Sequence, residues 1–159
     1  MKTPLVSVAI PVYNLEDFVS QTLDSLVAQT YENYEALIID DGSKDNSAEV
    51  IEPYLKDPRF KYVLQENAGP GAARNKALEL AEGEWFAHLD GDDLWEPDFL
   101  KKFVFLADSD AKINLLYAQV VIFTEDKKES IYLQPHQMKE GDITNWVYSD
   151  CQLTLSATM

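Results

Sequence analysis

Leu5-Val6-Ser7-Val8-Ala9-Ile10, closed by Pro11, is the stretch on which the fold turns. It is short, apolar and β-branched, with no sustained polar alternation, and reads as a strand covered on both faces, as parallel strands are. The next segment changes period. From Glu16 to Gln29, residues Phe18, Val19, Thr22, Leu23, Leu26 and Val27 mark one helical face, and Glu16 and Asp17 suit the positive end of its dipole. A second apolar strand, Tyr34 to Ile39, then ends in Asp40-Asp41-Gly42-Ser43. Strand, helix and strand in this order begin a parallel sheet, because parallel neighbours need a crossover between them.

The alternation continues outward from there. A helix starting near Ser43 to Ser47 buries Val50, Ile51, Tyr54 and Leu55 and stops before Pro58. Phe60 to Leu64 reads as a third strand. The loop Asn67-Ala68-Gly69-Pro70-Gly71 feeds a small-residue helix from Ala72 to about Glu82, with Gly83 placed for a left-handed cap. Trp85 to Leu89 is a fourth strand, running into Asp90-Gly91-Asp92-Asp93, and Pro97 opens a helix carrying Phe99, Phe103 and Leu106. Ile113 to Phe123 is expected as a strand, Glu125 to Glu129 as a polar turn, and Ile131 to Leu133 and Leu153 to Met159 as further strand-like runs. No repeat or linker interrupts the pattern.

At 159 residues the chain has the size of one domain. Its 46% hydrophobic and 26% charged residues exclude a disordered tail or a fibre. The single cysteine, Cys151, cannot close an internal disulfide, so a reducing compartment is expected and Cys151 reads as a small buried residue. Thirteen basic and 28 acidic residues give a net charge of −15. That field opposes non-specific binding of nucleic acid or anionic lipid, and a phosphate-bearing ligand would need a metal ion or a local basic group. No signal-like segment stands at the N-terminus and no stretch approaches the roughly 20 apolar residues of a membrane span. The expectation is a cytoplasmic protein, with peripheral contact at the inner face of the membrane reserved for a longer gene product.

In parallel sheets, ligands bind beyond the carboxyl ends of the strands, at a switch point in strand order. The polar clusters follow the strands one by one: Tyr13-Asn14, Asp40-Asp41, Asn67 to Gly71, and Asp90 to Asp93. They are therefore expected on one edge. Asp90, Asp92 and Asp93 present three carboxylates within four residues, which suits Mg²⁺ or Mn²⁺ bridged to phosphate, or else a solvated turn. An EF-hand is excluded by Leu94 and Trp95. Asp40-Asp41-Gly42-Ser43 reads as a turn with Ser43 capping the next helix, leaving Asp40 to accept from a ring N–H such as the uracil imide. Tyr13 either closes its turn or lays its ring against a base. Arg74 stands where a dinucleotide fingerprint needs its third glycine, and Gly-Lys-Ser/Thr is absent, so the loop is neither that nor a Walker A. A cation so near a helix N-terminus opposes the dipole and calls for an anionic partner. His88 and His136 form no catalytic pattern, and His88 is expected as a satisfied core histidine. Trp85, Trp95 and Trp146 are expected to pack, Trp95 near enough to the acidic loop to touch a sugar.

Val6 to Asn14, Ile38 to Ser43, Gly69 to Asn75 and Leu89 to Asp93, in that order, resemble the family 2 inverting nucleotide-sugar glycosyltransferases of GT-A fold, the last segment being their D-x-D motif. The resemblance covers roughly the first two thirds of the chain. It implies an α/β, Rossmann-like three-layer sandwich with a mostly parallel central sheet. Residues 1–159 would form one domain, with 1–107 binding the nucleotide-sugar and 108–159 beginning the acceptor-binding part. Pro11, Tyr13 and Asp40 are implied at the nucleotide base, Arg74 near the nucleotide, and Asp90 at the ribose or a metal-bound water. Asp92, with Asp90 beside it, is implied as the ligand of Mn²⁺ or Mg²⁺, and Asp93 behind them.

The implied reaction passes a hexosyl or N-acetylhexosaminyl group from a nucleotide-sugar, a UDP-sugar first, to a hydroxyl of a glycan or lipid-linked acceptor, as in polysaccharide synthesis. The general base is expected beyond Met159, because no carboxylate after Asp93 stands in the family's Glu-Asp context, and the chain is expected to be truncated at its C-terminus. The second reading is a nucleotide or nucleotide-sugar binding module without turnover. Sugar-nucleotidyl transfer is disfavoured, since the glycine-rich loop and activating lysine it needs are absent after Ile10.

Overall fold

Four strands carry the frame: β1 (Val6–Val12), β2 (Tyr34–Asp40), β3 (Phe60–Leu64) and β4 (Trp85–His88). A computed structural model of the chain describes residues 4–110, 113, 116, 121–123 and 129–131. All pairings in this sheet are parallel, in the order β3-β2-β1-β4, with Val12 opposite Asp40 and Ala9 opposite His88. The expected α/β class with a parallel sheet is observed. A short antiparallel pair, β5 (Val121–Phe123) and β6 (Glu129–Ile131), stands apart from it. Of the expected strand from Ile113, only those three residues are described as strand. His136, Trp146, Cys151 and the run Leu153 to Met159 lie outside the described residues.

The helices are α1 (Val19–Val27), α2 (Ser47–Ile51), α3 (Pro70–Leu80) and α4 (Phe99–Ser109). Strand residues alternate faces, and the two faces have different neighbours. Val6, Val8, Ile10 and Val12 join Ala36, Ile38, Ala87 and Leu89 in the larger core, which takes in Leu23 and Leu26 of α1, Ile51 of α2 and Leu100 of α4. Ala9, Leu37 and Ile39 face the other way, against Ala73 and Ala77 of α3. The small residues of α3 are what allow its backbone to lie close on the sheet. Sheet order explains this division. The chain steps from β1 to β2 to β3 in one direction and then crosses back to β4, so right-handed crossovers place α3 opposite α1 and α2.

Several boundaries differ from expectation. α1 starts at Val19 with no acidic residue in its first turn. Glu16 is instead drawn to the neighbouring loop, accepting from the backbone and side-chain amides of Asn46 at 2.9 and 2.7 Å. Phe18 and Val27, expected on the buried face, are half exposed. α2 gives way to a 3₁₀ turn over Glu52–Lys56, because Pro53 lacks the N–H that an α-helix would use, and Leu55 ends up exposed. Gly83 is no left-handed cap: α3 ends earlier, at an extended Ala81. The glycine is required by proximity, since a Cβ there would stand 2.6 Å from the Ser7 amide nitrogen.

Beneath that contact the amino end of the sheet is locked by Glu35. Its Oε1 accepts from the Ser7 hydroxyl at 2.5 Å and the Glu82 amide at 2.8 Å, and its Oε2 accepts from Lys61 at 2.8 Å. Among the described residues no helix is long and apolar enough to cross a membrane.

Candidate functional site

Strand order reverses direction between β1 and β4, and a cleft of about 400 Å³ opens beyond their carboxyl ends. Residues from all four strand-end clusters line it. Of the expected site residues, Pro11, Tyr13, Arg74, Asp90 and Asp92 are brought together there, and Asp40 is not.

Asp40 belongs to the face of β2 that looks toward α1, with Ala36 and Ile38. The residue is 1% exposed, and its carboxylate accepts from the Ser43 amide at 2.8 Å and the Tyr62 hydroxyl at 2.7 Å. The residue shapes the turn and does not reach the cleft. Asp41, one residue on and on the α3 face, does reach it. Its Oδ1 accepts from Gln65 Nε2 at 2.7 Å and the Ala68 amide at 2.9 Å, and its Oδ2 from the Gly69 amide at 2.7 Å. Burial alone would raise its pKa, but the bonds from Ala68, Gln65 and Gly69 outweigh it and hold the carboxyl below the usual range. Asp41 is thus a fixed anion at the rim that also ties down the loop leading into α3. Period-two alternation combined with crossover handedness is the signal that finds it.

Tyr13 is held by its neighbour. Asn14 adopts φ 54°, in the left-handed region, which asparagine tolerates better than most residues. Its amide donates to Ser43 Oγ at 3.0 Å and its Oδ1 accepts from the Lys44 amide at 2.8 Å. Ser43 therefore bridges the first two loops and does not cap α2, whose Ser47 amide is bonded by Asp45 at 3.0 Å. The exposed Tyr13 ring stands at the cleft mouth.

On the third side, Gly69 at φ 88° turns the chain into Pro70, the first residue of α3. The helix starts two residues earlier than expected, which moves Arg74 into its second turn. Arg74 Nη2 lies 2.7 Å from Asp90 Oδ1, while its buried Nε has no partner among the described residues. The acidic cluster supplies the anionic partner that Arg74 calls for.

His88 points to the same face. Its ring meets Phe86 edge-on at 5.0 Å, and its Nδ1 has no partner among the described residues, so it is not the satisfied core histidine expected. Burial, and after it the charge of Arg74, lower its pKa.

Asp90-Gly91-Asp92 forms a tight turn in which the Asp93 amide donates to the Asp90 carbonyl at 2.9 Å. Asp92 is exposed and Asp90 partly so. Asp93 does not line the cleft. Trp95 is a packing residue, stacked on Phe99 at 4.3 Å. Among the described residues no three His, Cys, Asp or Glu side chains gather to hold a metal by themselves. Two carboxylates at the rim of the cleft nevertheless fit a hard cation that takes its other ligands from water and phosphate, as Mg²⁺ does.

The family model described as glycosyl transferase family 2 matches residues 7–155. EpsH of Bacillus subtilis, provisionally named a glycosyltransferase, is 48% identical over 103 residues, covering 64% of this chain and 30% of EpsH. TarS of S. aureus, solved with UDP-GlcNAc, is similar with a TM-score of 0.64 at 30% identity, over 74% of this chain and 33% of that one. The mannosyltransferase PcManGT from Pyrobaculum calidifontis, solved with GDP-Man and Mn²⁺, gives a TM-score of 0.69 at 26% identity, over 74% of this chain and 36% of that one. The chain spans about a third of the length of these relatives. With its parallel sheet and crossovers shared with those structures, the fold is GT-A, and the chain belongs to glycosyl transferase family 2.

Proposed function

We propose that the cleft holds the nucleoside diphosphate of a nucleotide-sugar, a UDP-sugar first, and that residues 1–107 are the donor-binding part of an inverting glycosyltransferase. The observation that carries this is the convergence of Tyr13, Asp41, Arg74 and Asp92, from four separate strand ends, on one cleft at the switch point. Each has a task that its chemistry suits. Tyr13 offers a ring face to the base. Asp41, an acceptor already held in place, takes the base N–H in the role expected of Asp40, which suits a base with a ring N–H donor such as the uracil imide. Arg74 offsets phosphate charge in a chain of net charge −15, and Pro11 lines the floor.

Asp92, with Asp90 beside it at the ribose or a bound water, would hold Mg²⁺ or Mn²⁺. When bound, such a cation stabilises charge developing on the departing diphosphate. The hydroxyl of a glycan or lipid-linked acceptor would attack the anomeric carbon from the side opposite the diphosphate, inverting it. We assign the base that takes the hydroxyl proton to the acceptor-binding part, which residues 108–159 begin. A cytoplasmic, donor-side location accords with this chemistry.

Calorimetric titration of the chain with UDP, in Mn²⁺ and in EDTA, tests the reading. Binding markedly tighter in Mn²⁺ than in EDTA is expected. No binding of UDP or of GDP under either condition would overturn it.

A further inference from the structure

The turn that carries Asp90 and Asp92 is gripped from helix α1. Thr22 is fully buried, and its hydroxyl donates a 2.9 Å hydrogen bond to the carbonyl of Gly91. A threonine inside a helix more often returns that proton to a carbonyl of the preceding turn. Here the bond spans 69 residues of sequence, to the residue between the two carboxylates. Gly91 has no room on its other side, where a Cβ would stand 2.8 Å from Leu15 Cδ1 and 2.9 Å from the Pro11 carbonyl oxygen.

Ser25 on the same face of α1, and Gln29 just past its end, repeat the grip farther along the loop. Ser25 Oγ accepts from the Trp95 amide at 3.2 Å, and Gln29 donates to the Glu96 carbonyl at 2.8 Å and accepts from the Leu100 amide at 3.0 Å. Of these three residues, Thr22 alone holds the peptide between Asp90 and Asp92. That peptide is planar, so fixing the Gly91 carbonyl fixes the Cα of Asp92. A glycine has the widest backbone freedom of any residue, so the restraint acts where the turn is softest.

We propose that Thr22 is a positioning residue for donor binding: through the Gly91 carbonyl it sets where Asp92 meets a divalent cation and where Asp90 meets Arg74. The inference rests on Asp92 being a cation ligand.

The test measures UDP affinity of the chain by calorimetry, in Mn²⁺ and in EDTA, beside the melting temperature. Thr22→Val removes the hydroxyl and keeps the shape. It is expected to weaken UDP binding about tenfold in Mn²⁺, the low end for outer partners of metal ligands, and by less than about twofold in EDTA. Thr22→Ser should restore the Mn²⁺ value. Gln29→Met, which releases the far end of the loop, should lower the melting temperature at least as much and leave affinity in Mn²⁺ within about twofold.

A Thr22→Val chain with unchanged affinity in Mn²⁺, an equal loss in EDTA, or a Gln29→Met loss matching it each overturns the proposal. Should Thr22→Val fail to fold, Thr22→Ala is read by the same outcomes, and a folded Thr22→Ser chain that binds poorly in Mn²⁺ also overturns the proposal. A wild-type chain that binds UDP equally in Mn²⁺ and EDTA overturns the cation reading and this inference together, whereas a metal-dependent wild type with an unaffected Thr22→Val overturns only this one.

Discussion

The sheet carries a carboxylate–cation pair at each end, and the two are built for different purposes. At the amino end, Glu35 and Lys61 meet at 2.8 Å with the Glu35 side chain 6% exposed. Both of its oxygens are engaged, by Ser7, Glu82 and Lys61, and the Gly83 amide completes the chain by donating to Ser7 Oγ at 2.8 Å. At the carboxyl end, Arg74 and Asp90 meet at 2.7 Å, but the Asp90 side chain is 30% exposed and Arg74 keeps a buried Nε without a partner among the described residues. Nearly equal distances conceal unequal satisfaction. A closed network steadies the fold. The incomplete one beside the cleft is what the proposed ligand would complete, because a buried donor without an acceptor is costly until something supplies one.

Mutation should separate the two ends. The largest effect is expected from Asp92→Ala, with UDP affinity in Mn²⁺ falling about 100-fold, or about 2.8 kcal/mol, by calorimetry, and little change in melting temperature because the side chain is exposed. Glu35→Ala should do the reverse. Leaving Ser7, Lys61 and the Glu82 amide without their acceptor costs about 2 kcal/mol in denaturant unfolding, with UDP affinity kept. Equal losses of affinity and stability in either variant would erase the contrast.

Arg74→Gln, which keeps a donor but removes the charge, should weaken UDP about tenfold, or about 1.4 kcal/mol. The smallest effect is one of pH. Burial works to raise the Glu35 pKa, but hydrogen bonds from Lys61, Ser7 and the Glu82 amide bring it below the ordinary value. A depressed carboxyl pKa means the unfolded chain binds the proton more readily. The stabilisation is therefore full above roughly pH 4.3 and is lost as pH falls through the folded value. Acid unfolding of Glu35→Gln should lack that component, and an identical acid slope in both chains would contradict it.

Much of this was legible in the residues. The switch from the unbroken run at Leu5 to Ile10 to the helical spacing of Leu23 and Leu26 gives the parallel α/β class, and parallel strands put every strand-end cluster on one edge. What was not legible from local pattern was the choice between Asp40 and Asp41. Adjacent residues at a strand end point to opposite faces, and which face lines the cleft depends on where α3 lies, a property of chain crossover. Local pattern makes His88 a satisfied core histidine, whereas the fold sets it on the face of Arg74 with Nδ1 unpartnered among the described residues. Gly83 resembled a cap because it follows a helix, whereas its need is a close approach to Ser7 that no neighbour in sequence announces. The hydroxyl of Thr22 was hidden inside an amphipathic stripe and counted with the buried face.

Amide chemical-shift mapping of the chain during titration with UDP and Mg²⁺ tests the central claim most directly, because it locates the ligand on one end of the sheet or the other. The account predicts saturable shifts at Tyr13, Asp41, Gly69 and Gly91, with Ser7, Glu35 and Gly83 unmoved. Shifts centred on the amino end, or none at the carboxyl end at saturating UDP, would contradict it.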